Sequence, residues 1–204
     1  VIWNQQTSIT QRDVEAILGS LETFEVSTSG EKTLTTSTSD KLLQGFREYN
    51  ERYEAQLRLW QVGELQEGTL VRELKEKTRR FQPCIVGNWT PELKALVPEF
   101  LAGIAAHYTI SKSGQSFQRL STCTTLCLQT GEADGEGGSQ KAIDLNTMLE
   151  RPHTIQILTL LRLFCYDSEG TTLAHQLMQI RTGEGKSMVL GMSSLLLALL
   201  GFRV

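Results

Sequence analysis

No two of the four cysteines, Cys84, Cys123, Cys127 and Cys165, stand as a Cys-x-x-Cys pair. The three histidines, His107, His153 and His175, show no finger-like spacing. A structural zinc site therefore lacks its ligand pattern, and the thiols read as free cysteines of a reducing compartment. Cys123 and Cys127 share a face if their segment is helical. A basic surplus is also missing. Lys and Arg number 20 against 23 Asp and Glu, for a net charge of -3, which argues against a dedicated nucleic-acid binder. The opening Val1-Ile2-Trp3-Asn4 has no basic region followed by an apolar run, so no secretory signal is read there. The apolar run from Met188 to Phe202 falls short of the roughly 18–20 residues that a membrane span needs.

What is present suits a folded protein. The chain has 204 residues, 40% of them hydrophobic and 21% charged, enough for one large domain or two small ones with a buried core. The spacing of Val14, Ile17, Leu18 and Leu21 predicts a helix over 10–26, with Thr10 as its cap. Residues 27–39 are mostly Ser and Thr and read as a polar loop, or as an edge strand at their Thr-Leu-Thr-Thr centre. A second helix is expected over 40–60, capped by Asp40, and a third over 64–80 with a basic end at Lys75, Lys77, Arg79 and Arg80. That basic end reads as a solvated face suited to the helix dipole. Thr90 and Pro91 mark a helix start, and Pro98 opens or kinks a second apolar stretch, Phe100 to Ile110. On that stretch His107 reads as a core-edge residue.

Three regions follow. Residues 1–130 read as a helical N-terminal region. The Gly-rich acidic run at 130–140 sets a linker at 131–144, and 145–204 is the beginning of another unit. The fold class expected is mostly α, with the start of an α/β P-loop (RecA-like) domain at the C-terminal end. Because Gly201-Phe202-Arg203-Val204 stops where an apolar strand would begin, and the first residue is not Met, a truncated fragment is expected.

One motif carries chemistry. An apolar strand over 176–181 leads into Arg181-Thr182-Gly183-Glu184-Gly185-Lys186-Ser187, and an apolar helix follows. Gly183 and Gly185 allow a tight turn that aims successive N–H groups at a phosphate. The helix N-terminus adds positive potential at the same place. Lys186 reaches the β- and γ-phosphates, and the Ser187 hydroxyl completes the coordination of Mg²⁺. Ile180 stands where the standard G-x-x-x-x-G-K-[ST] pattern has its first glycine, so the match is to the variant found in helicase-like motors.

Ile180-Arg181-Thr182-Gly183-Glu184-Gly185-Lys186-Ser187 resembles the nucleotide loop of the SecA-type preprotein translocase motors, at the start of their DEAD-like ATPase domain. The likeness covers about residues 145–204. It implies an ATP and Mg²⁺ site with Thr182, Gly183, Glu184, Gly185, Lys186 and Ser187 around the phosphates. It also implies that Arg151 and Gln156, five residues apart, recognise adenine. The family's function implies ATP-driven movement of an unfolded polypeptide by a cytoplasmic protein that can be peripheral to a membrane and can meet a membrane translocon. No nucleic acid and no transmembrane segment are expected. Tyr166-Asp167-Ser168-Glu169-Gly170 reads as an inserted turn, and residues 1–130 match the bacterial pattern poorly. The carboxylates that support hydrolysis are expected beyond Val204, so this chain alone is expected to be inactive as an ATPase. Two other readings stay open: a nucleic-acid helicase-like motor, and a helical interaction scaffold with a vestigial nucleotide site.

Overall fold

The computed structural model describes residues 11–20, 22–25, 36–65, 67–81, 89–129, 150–173, 176–179 and 185–203. The element order is α1 (Gln11–Ser20), β1 (Glu22–Glu25), α2 (Thr36–Gln61), α3 (Glu67–Arg79), α4 (Pro91–Gln129), α5 (Thr154–Leu163), β2 (Gln176–Gln179) and α6 (Lys186–Leu199). The protein is mostly helical, as its periodicity predicts. The linker expected at 131–144 lies outside the described residues.

Several boundaries differ from expectation for local physical reasons. The first helix stops at Ser20 instead of 26. Gly19 and Ser20 are weak helix formers, and the following Glu22-Thr23-Phe24-Glu25 pairs antiparallel with β2, Thr23 opposite Met178 and Phe24 opposite Leu177. α2 begins at Thr36, one turn before Asp40, so Asp40 is an exposed residue inside the helix and not its cap. Burial of Ser39 at 2% exposure extends the packed face into what composition marks as loop. Pro98 neither opens nor ends a helix. It sits inside the continuous α4, where fully buried Val97, Phe100 and Leu101 outweigh one lost intrahelical hydrogen bond. The start of α4 is as expected, with the Leu93 N–H donating to Thr90 Oγ1 at 3.3 Å.

One hydrophobic cluster joins these elements. α2 packs along α4 through Leu42, Phe46, Tyr49, Tyr53 and Leu57, and α3 adds Leu70 and Leu74. α5 is almost wholly sunk into the cluster, which explains its apolar Ile157, Leu158, Leu160 and Leu161. α6 packs against α4 and α5 through Val189, Met192 and Leu196. Among the described residues the sheet is the two-stranded antiparallel ribbon β1–β2, and no parallel strand pair stands beside β2. No described helix is long and apolar enough to cross a membrane.

Candidate functional site

The start of α6 is built on a glycine. Gly185 is the helix N-cap and has φ 73° and ψ 46°, a left-handed conformation that glycine adopts without steric cost. Its carbonyl accepts from the Met188 N–H at 2.9 Å and so begins the helix. Lys186 and Ser187 follow in the exposed first turn, which contains no acidic residue to compete with an anion. The helix is then anchored by its buried face, while Leu190 and Leu195 stay exposed on the other side. Thr182, Gly183 and Glu184 lie outside the described residues, as does Arg181.

Gln156 reaches this glycine from α5. It is 2% exposed and occupies the first turn of that helix. Its Oε1 accepts from the His153 backbone N–H at 2.9 Å, and its own backbone N–H donates to the His153 carbonyl at 2.9 Å. The other end of the amide, Nε2, lies against Gly185, where a β-carbon on residue 185 would run into it. The structure thus brings together Gln156, Gly185, Lys186 and Ser187, residues drawn from two segments of the chain.

Arg151 is placed differently. Its guanidinium forms an ion pair with Glu54 of α2 and lies 5.8 Å from the centre of the Tyr53 ring. The Tyr53 hydroxyl is 2.9 Å from Thr109 Oγ1, which in turn donates to the Glu150 carbonyl at 3.1 Å. The entrance to α5 is therefore fastened to α2 and α4.

The exit from α5 is held as firmly. The turn Phe164–Asp167 contains Cys165 at φ 54°, and Lys94 donates to the Ser168 and Gly170 carbonyls beyond it. The Trp89 N–H donates to the Thr171 carbonyl at 2.9 Å, and Lys41 pairs with Glu169 at 3.0 Å. The Tyr166 ring lies against Gly45, and burial, with the adjacent Glu48 charge and hydrogen bond, pushes its hydroxyl up to about 12. Lys94, Trp89, Gly45 and Glu54 carry no local motif that marks them, because each acts on a residue more than 70 positions away.

The basic end of α3 is largely engaged. Lys77 pairs with Glu99, Arg79 lies 3.8 Å from Glu76, and the Arg80 guanidinium stacks 4.7 Å from the Phe81 ring. No cluster of three or more His, Cys, Asp or Glu side chains suited to a metal occurs among the described residues.

No family model matches the chain, and comparison with curated proteins and with solved structures finds no match.

Proposed function

We propose that the segment Thr182–Ser187 and the N-terminus of α6 form the phosphate site for ATP with Mg²⁺, within a SecA-like motor that couples hydrolysis to movement of a polypeptide. The observation that carries this reading is the left-handed Gly185 at the head of a helix whose next two residues are an exposed Lys and Ser. A glycine in that conformation lets the chain double back, so that N–H groups of the first turn point outward to one place. Lys186 supplies a mobile cation to the same place, and Ser187 an oxygen for Mg²⁺. The finer fold, a RecA-like domain that continues from β2 and α6, and the motor function itself rest on the resemblance of 180–187 to the SecA loop.

Calorimetric titration of the chain with ATP and Mg²⁺ tests the site. A charge-assisted contact from Lys186 is worth roughly 1.5–3 kcal/mol. Lys186→Ala is therefore expected to weaken binding about ten- to a hundredfold. Binding that is equal in the two proteins removes the phosphate-site reading.

A further inference from the structure

We infer that Gln156 is a positioning residue of the phosphate loop: its buried amide braces Gly185 in the conformation that receives phosphate, and it does not read the base. The inference rests on the phosphate site proposed above and assigns a different task to one of its residues.

An amide that reads adenine has to offer its oxygen and its nitrogen together, one to accept and one to donate. The His153 backbone N–H already occupies one of the two acceptor sites of the Gln156 oxygen. The His153 backbone N–H can only donate, so the atom facing it at 2.9 Å must be Oε1, which fixes the orientation of the amide. The residue is also 2% exposed, so its edge is turned into the protein. Its Nε2 fills the space where residue 185 would carry a β-carbon. Two conditions thus meet at Gly185. Its φ of 73° excludes most side chains, and Gln156 takes the volume that a side chain would need. From the first turn of α5 the amide thus lies in contact with the N-cap of α6.

The test uses three ligands with Mg²⁺: ATP, GTP and inorganic tripolyphosphate, which has no base. Gln156→Ala is expected to weaken all three by the same factor, about tenfold for the loss of one well-placed contact. Gln156→Glu keeps an acceptor for His153 but sets a buried carboxylate oxygen against Gly185, and its negative charge is expected to weaken all three further. A loss confined to ATP, with tripolyphosphate unaffected, overturns the inference and restores Gln156 as a base reader while the phosphate site stands. Failure of the wild-type chain to bind any of the three removes the phosphate site and this inference with it. A nucleotide-free readout checks the packing itself. Gly185→Ala and Gln156→Ala are each expected to lower the melting temperature, and the double variant to lose less than the sum, because the clash disappears with the amide. Strict additivity would overturn the contact.

Discussion

The Trp89 indole donates its Nε1–H to the Phe164 carbonyl at 2.8 Å, with the two rings stacked 5.9 Å apart. This bond ties a residue two positions before α4 to the C-cap of α5, across 75 positions of sequence. Trp89 is fully buried, so its N–H has to find an acceptor inside the protein. Trp89→Phe keeps a ring but leaves the carbonyl without this donor. It is expected to cost about 1–3 kcal/mol in urea unfolding. A change below roughly 0.5 kcal/mol, the range of ordinary surface substitutions, would show that the bond contributes nothing.

Lys94 extends the same fastening by donating to the Ser168 and Gly170 carbonyls from a side chain that is nearly buried. Lys94→Met keeps the aliphatic stem and deletes the donor. The expected loss is about 1–3 kcal/mol. The more specific consequence is local: amides of 166–170 should exchange faster by hydrogen–deuterium measurement, while those of α2 change little. Unaltered protection in that turn would show that Lys94 does not hold it.

Gly45 sits on α2 where a β-carbon would come within 2.5 Å of Tyr166 Cε1. A tyrosine ring cannot yield as an aliphatic tip does, so Gly45→Ala has to displace it. The strain, about 1–3 kcal/mol, exceeds the roughly 1 kcal/mol of helix propensity gained. Displacement also breaks the 3.3 Å bond from the Tyr166 hydroxyl to Glu48. The hydroxyl, pushed up to about 12 by burial and then by Glu48, should fall toward its ordinary value of 10.0. Ultraviolet titration between pH 9 and 12 reads this directly, and an unchanged curve would mean that the ring stayed in place.

The helices were legible because Leu42, Phe46, Tyr49, Tyr53 and Leu57 repeat at helical spacing and do line one core face. Thr90 and Pro91 announced the start of α4 through chemistry confined to adjacent residues. The boundaries at Ser20, Thr36 and Pro98 were not legible, because each is set by packing or strand pairing with distant segments. The start of α6 after Gly185 follows from the local spacing alone. The approach of Gln156 to Gly185 does not, since no periodicity links α5 to the head of α6. The partner of Arg151 was equally hidden, because Glu54 lies 97 positions earlier on a different helix.

Glu99 gives the fold a defined response to acid. From α4 it pairs with Arg52 of α2 and with Lys77 of α3, so one carboxylate ties three helices. Burial alone would push its carboxyl up. The Lys77 hydrogen bond and charge and the Arg52 charge outweigh that effect and hold it below its ordinary value of 4.5. A carboxylate held low in the folded state adds stability that is fully present above the unfolded value, and that stability is lost as pH falls through the folded value. The window is therefore below pH 4.5. Glu99→Gln should melt at a lower temperature than the wild type at pH 7, and the gap between the two should stay constant down to that point and close below it. Salt should narrow the gap at neutral pH, because Arg52 and Lys77 are both about half exposed and their attraction is open to screening. Melting curves from pH 7 to pH 2 measure both effects. A gap that persists unchanged at pH 2 would mean that Glu99 acts through its shape in the packing between α3 and α4, and not through its charge.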